Sequence, residues 1–99
     1  MTLDSMRGII DQLNAEIIGL FAIRLKVAKE IARIKKEHSL PVHDPVREEQ
    51  QLQKLRDLAK QKDLSPAVIE EIFELFVDYS KINMKLEMAD DKNCRLPGN

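Results

Sequence analysis

The sequence predicts an all-α chain of three helices, one of them very long. Apolar residues recur at alternating steps of four and three from Met6 to Ile34 (Met6, Ile10, Leu13, Ile17, Leu20, Val27, Ile31, Ile34), which is the stripe of an amphipathic helix. Two pairs, Asp44-Pro45 and Ser65-Pro66, each couple a capping side chain to a proline with the φ of a first helical position. The 99 residues hold three glycines, four prolines and 4% aromatics, and no strand-like alternation of useful length.

Helix 1 is expected over about 4–38, capped by Asp4 or Ser5, tolerating Gly8 and Gly19, and stopped by Ser39-Leu40-Pro41. Helix 2 is expected over about 45–62, opened by Asp44-Pro45. Helix 3 is expected over about 66–88, with Ile69, Ile72, Phe73, Phe76, Val77 and Ile82 at helical spacing. Residues 89–99 read as a polar tail, and with no internal repeat or low-complexity tract the whole chain reads as one domain.

Helix 1 is too long for a small monomer. At 1.5 Å per residue it extends roughly 50 Å, whereas a compact chain of this size is only ~35 Å across. The two shorter helices leave part of it uncovered, so the economical solution is a second copy, giving an intertwined helical homodimer. A helical hairpin or coiled-coil adaptor satisfies the same periodicity.

A formal net charge of -1 provides no basic footprint, which argues against a nucleic-acid partner. The single cysteine, Cys94, forms no intrachain disulfide, and Met1 to Arg7 lack the basic start and apolar core of a signal peptide; a cytoplasmic location is expected. No stretch approaches the ~20 apolar residues of a membrane span. His38 and His43 lack metal-ligand spacing, and no nucleophile elbow, glycine-rich phosphate loop or Cys-His pairing is present, so neither metal nor cofactor is expected.

The charged residues are more informative. Arg24 falls on the apolar stripe of helix 1, where a cation requires an anionic partner, either a side chain across a helix interface or a ligand. Lys35 follows eleven residues later, turned by only about 20° and displaced about 16 Å along the same face, with Ala28 and Ile31 between. That is a wall suited to a small polyanion, although a lysine near a helix end is also ordinarily solvated. Arg7 lies about 25 Å from Arg24 and about 100° around the helix, so only a partner chain can deliver it to the same pocket.

Asp44, Arg47 and Glu48 share one face of the first turn of helix 2, where two carboxylates and an arginine can receive a hydroxyl and a carboxylate. Asp44 is equally an N-cap, and Glu48 suits the positive end of a helix dipole. Ser80 falls on the apolar stripe of helix 3, where it either bonds back to its own helix or meets a ligand.

The order Arg7, Arg24, Lys35, Asp44, Arg47, Glu48, Ser80 resembles the all-helical chorismate mutases. Their pattern is an arginine early in helix 1, a second in its middle, a lysine near its end, Asp-x-x-Arg-Glu opening helix 2 and a serine late in helix 3. The likeness runs from about Leu3 to Met88 and is densest in Arg24–Lys35 and Pro41–Glu48. It implies an intertwined homodimer of three-helix chains with two sites, each taking Arg24, Lys35, Asp44, Arg47, Glu48 and Ser80 mainly from one chain and Arg7 from the other.

The resemblance also implies an isomerase of phenylalanine and tyrosine biosynthesis that converts chorismate, a small dicarboxylate, to prephenate without a cofactor. Arg7 and Arg24 would hold the two carboxylates with help from Ser80, and Lys35 would donate to the ether oxygen. Glu48 and the Asp44 region would take the ring hydroxyl, with Arg47 orienting Glu48. This makes Lys35, Arg24 and Glu48 the expected catalytic residues.

One position departs from the family. Four residues after the serine a glutamine or glutamate normally donates to the ether oxygen, and here Met84 stands instead. Loss of such a donor costs on the order of 10²-fold in rate. Asn83, by a small helix rotation, and Lys81, by added positive charge, are the two candidates to compensate. The departure keeps two alternatives open: a relative acting on a chorismate analogue (4-amino-4-deoxychorismate mutase or isochorismate pyruvate lyase), and a weakly active helical dimer that binds or regulates a partner enzyme.

Overall fold

A computed structural model describes residues 1–41 and 43–90, with side chains through Asn83. The residues after Asp90, Cys94 among them, and the side chain of Met84 lie outside the described residues. Helix α1 spans Leu3–Glu37, α2 spans Pro45–Gln61 and α3 spans Pro66–Asp90, and the described residues contain no strand.

Helix α1 starts earlier than expected because its cap is Thr2, not Asp4 or Ser5. Thr2 Oγ1 accepts the Ser5 backbone N–H at 3.1 Å, while Ser5 Oγ accepts the Thr2 N–H at 3.0 Å. Ser5 thus plays the part usually taken by Glu or Gln in a capping box. Asp4 is left in the first turn, where its charge faces the positive end of the helix dipole.

Both α1 and α2 end in the same way. Ser39 and Asp63 take positive φ (54° and 57°), the left-handed conformation that closes a helix. Leu40 N–H then donates to Lys35 O at 2.8 Å and Ser39 N–H to Lys36 O at 3.2 Å. The equivalent bonds after α2 run from Leu64 to Ala59 at 2.9 Å and from Asp63 to Lys60 at 3.2 Å. These paired bonds satisfy orphan carbonyls at both helix ends.

Helix α3 is the central element. It packs against α1 on one side and α2 on the other, and α1 and α2 make no close backbone approach to each other. The α1–α3 contact is aromatic: Phe21 stacks on Phe76 with ring centres 4.5 Å apart, Tyr79 tilts against Phe21 at 5.5 Å, and Phe73 meets Phe76 edge-on at 5.2 Å. The α2–α3 contact is closed by the buried Ala59, whose small side chain permits close approach, and is flanked by half-buried Leu52, Leu55 and Ile69. Arg56 of α2 bonds Glu70 of α3 through Nε at 2.5 Å and Glu49 through a terminal nitrogen at 2.9 Å.

Little of the described chain is enclosed. Among the residues with described side chains Ala59 and Ser80 alone are buried, and the apolar stripe of α1 stays open: Met6, Ile10, Leu13, Ile17, Leu20, Val27, Ile31 and Ile34 are all exposed, Leu20 by 67%. The longest dimension is 53 Å, as a helix of this length requires. Accessible surface reaches 8395 Å², whereas a compact monomer of this mass exposes roughly 5,800 Å². No described helix is long and apolar enough to cross a membrane.

Candidate functional site

The gap between α1 and α2, floored by α3, is an open cavity of about 740 Å³, within the range of small-molecule sites. Helix α1 contributes Arg24, Val27, Ala28, Ile31, Ala32 and Lys35. These fall at steps of three and four, so a straight helix presents them as one wall with a cation near each end. Arg24 is half-buried, and its guanidinium lies 5.8 Å from the centre of the Phe73 ring. The Lys35 end is set by the hydrogen bonds that close α1.

Helix α2 contributes Asp44, Arg47 and Glu48 from its first turn, then Gln51, Leu52, Lys54, Leu55 and Leu58. Asp44 is the N-cap: Oδ1 accepts the Arg47 N–H at 3.1 Å, and Asp44 O accepts the Glu48 N–H at 3.0 Å. Pro45 follows at the first helical position. The ordinary role of Asp44 and its place on the cavity wall are therefore compatible, since capping fixes the carboxylate at the rim.

Helix α3 contributes Phe73, Glu74, Val77, Asp78, Ser80 and Lys81. Ser80 is buried, and its Oγ donates to Phe76 O at 2.9 Å, the back-bond available to a mid-helix serine. That leaves the oxygen lone pairs as acceptors. Lys81 Nζ reaches across to Glu48 Oε1 at 3.4 Å, and His43 Nδ1 stands 3.5 Å from the same oxygen.

Six of the eight residues singled out in the sequence thus line one cavity: Arg24, Lys35, Asp44, Arg47, Glu48 and Ser80. Arg7 does not. It sits near the start of α1, exposed, 3.9 Å from Asp4 Oδ1. The Met84 side chain lies outside the described residues. Asn83 is turned to its own helix, donating from Nδ2 to Tyr79 O at 3.0 Å, and it is not among the lining residues, whereas Lys81 is.

The sequence reading missed the acceptor and charged groups Gln51, Lys54, Glu74 and Asp78. Gln51 follows Glu48 by three residues on α2, and Asp78 precedes Lys81 by three on α3, so helical spacing was the available signal.

Chemically, the cavity pairs cations at Arg24, Lys35, Arg47 and Lys81 with apolar walls from Val27, Ala28, Ile31 and Val77. It can hold a compact anion with more than one acidic group, with carboxylates at Asp44 and Glu48 to accept from a hydroxyl. The sequence profile described as Chorismate mutase type II matches residues 6–85. The chain belongs to the type II chorismate mutase family.

Relatives in that family differ in size. The Methanocaldococcus jannaschii protein named chorismate mutase is 31% identical over 93 residues, covering 92% of this chain and 94% of its own length. The T-protein of Haemophilus influenzae is 36% identical over 81 residues, covering 82% of this chain and 22% of its own length. A bifunctional chorismate mutase/prephenate dehydratase of Buchnera aphidicola is 32% identical over 95 residues, covering 93% of this chain and 25% of its own length. The chain therefore spans about a quarter or less of the last two relatives.

Proposed function

We propose that the chain is a chorismate mutase: it binds chorismate in the cavity between α1 and α2 and catalyses its rearrangement to prephenate. The observation that carries this is the convergence of Arg24, Lys35, Asp44, Arg47, Glu48 and Ser80 on one cavity, with apolar surface between the charges. The reaction is an intramolecular Claisen rearrangement. It breaks an ether C–O bond as a C–C bond forms and needs no nucleophile or proton transfer. The protein must select a compact conformer and stabilise charge on the ether oxygen.

Arg24 holds one carboxylate, with its guanidinium resting against Phe73, and Ser80 joins it by turning its Oγ–H from Phe76 O to the ligand. Lys35 donates to the ether oxygen, whose charge is greater in the transition state than in the substrate, so its contribution falls on rate. Glu48 and the Asp44 region receive the ring hydroxyl, and Arg47 orients Glu48. Val27, Ala28 and Ile31 present apolar surface to the reacting carbons, and water leaves that surface as the substrate covers it, which strengthens these interactions.

The working unit is a homodimer, and the second carboxylate is held by the partner subunit's Arg7. The exposed α1 stripe and the surface excess of roughly 2,600 Å² support this reading, since obligate dimers bury surfaces of that order. The protein acts in the cytoplasm, on a small dicarboxylate, with no nucleic-acid partner.

Incubating the purified chain with chorismate and identifying the product by NMR tests the proposal. Prephenate is expected, and an unchanged substrate would overturn it.

A further inference from the structure

Glu48 is met by two nitrogen-bearing side chains on one oxygen. Lys81 crosses from α3 to within 3.4 Å of Oε1, and His43 approaches from the loop before α2 to 3.5 Å. Lys81 and Glu48 are separated by 33 residues (81 minus 48) and sit on different helices, so the pair is no by-product of helical spacing. Their side chains are 44% and 38% exposed, and both line the cavity. The cation therefore acts on whatever docks against Glu48.

We infer that Lys81 determines specificity at this position: it makes the site accept a neutral hydroxyl opposite Glu48 and discriminate against a protonated amine. The inference rests on the chorismate mutase reading and deepens it. A carboxylate without a cation would favour an ammonium over a hydroxyl by charge alone. With Lys81 on Oε1 that charge is already matched, while Oε2 remains an acceptor for a hydroxyl.

An ammonium at the same place brings a second positive charge close to Lys81 Nζ, and like charges repel more strongly at the edge of a partly dry cavity than in water. An aliphatic amine is largely protonated near neutral pH. The imidazole of His43, when protonated, acts in the same direction as Lys81. Arg47 adds positive charge to the same cavity, and Asp44, Glu74 and Asp78 are its other carboxylates.

The test compares the full chain with Lys81→Met and Lys81→Arg on chorismate and on 4-amino-4-deoxychorismate, in which an amine replaces the ring hydroxyl. Methionine keeps the unbranched stem and arginine keeps the charge; circular dichroism verifies the helices. The ratio of kcat/KM, chorismate over amino analogue, is expected to fall about fivefold in Lys81→Met and to stay within about twofold in Lys81→Arg. If the amino analogue is not turned over, its inhibition constant against chorismate supplies the comparison. An unchanged ratio in Lys81→Met, or an equal fall in Lys81→Arg, overturns the inference while leaving the mutase reading in place. If the unaltered chain converts neither compound, the mutase reading fails and the inference with it.

Discussion

The Arg24 guanidinium carbon lies 5.8 Å from the centre of the Phe73 ring. The contact joins α1 to α3 and gives a cation on an apolar stripe a face to rest on, because the ring quadrupole attracts positive charge. It also aims the side chain, since Phe73 is held edge-on by Phe76, which in turn stacks on Phe21. Phe73→Leu removes the platform and keeps apolar bulk. It is expected to raise KM for chorismate about three- to fivefold, the size of a partly exposed cation–π contact, with kcat less affected; steady-state kinetics measures the split.

The donation from Lys35 to the ether oxygen proposed above would bear on the barrier more than on binding. Lys35→Ala is expected to lower kcat by about 10²- to 10³-fold, as for loss of a donor to a developing oxyanion, with a much smaller change in KM. Comparable losses in the two constants would show that Lys35 binds substrate without favouring the transition state.

Arg7 and Arg24 are expected to complement each other across subunits. Arg7→Ala and Arg24→Ala are each inactive alone, yet a refolded equimolar mixture has half its chains in heterodimers, each with one complete site. Roughly a quarter of full activity should return. Recovery of none, or a monomer in sedimentation, would contradict delivery of Arg7 by the partner.

By its resemblance to the family, the chain is proposed to carry Met84 where a donor to the ether oxygen is expected. Met84→Gln is expected to raise kcat by about tenfold or more, read in the same assay. A rate that stays level would mean that the ether oxygen is already served, with Lys81 on the cavity wall the first residue to examine.

Arg56 holds α2 to α3. Hydrogen bonds that it donates to Glu49 and Glu70 keep its guanidinium above its ordinary pKa, and Gln53 accepts a third at 3.0 Å. A raised folded-state value means that this stabilisation is complete below the unfolded value and lost only as pH rises beyond it, so neutral pH lies within the plateau. Arg56→Leu is expected to lower the thermal midpoint by a similar margin at pH 6 and pH 9, as followed by circular dichroism.

The helices were legible because their punctuation is local. Asp44-Pro45 and Ser65-Pro66 head α2 and α3 as their chemistry requires, and the spacing of Arg24 and Lys35 alone placed them on one wall. The start of α1 was misplaced because Thr2, Asp4 and Ser5 are all competent caps, and only the reciprocal bond between Thr2 and Ser5 distinguishes them. Contacts between helices were less accessible. Nothing in the spacing of Lys81 points to Glu48, and nothing around Arg24 in sequence points to Phe73, because both depend on how α3 crosses its neighbours. The seam expected to be buried is exposed in the single chain, since two shorter helices cannot cover the whole of α1.

Among the described residues, α1 and α2 each pack on α3 and make no close backbone approach to each other. A ligand bound in the intervening space as proposed would be a keystone, supplying the cohesion that a layer of side chains provides in a larger domain. Affinity and rigidity become one quantity, and saturating the chain with an unreactive dicarboxylate mimic should raise its melting temperature and slow amide exchange along the facing turns of both arms together.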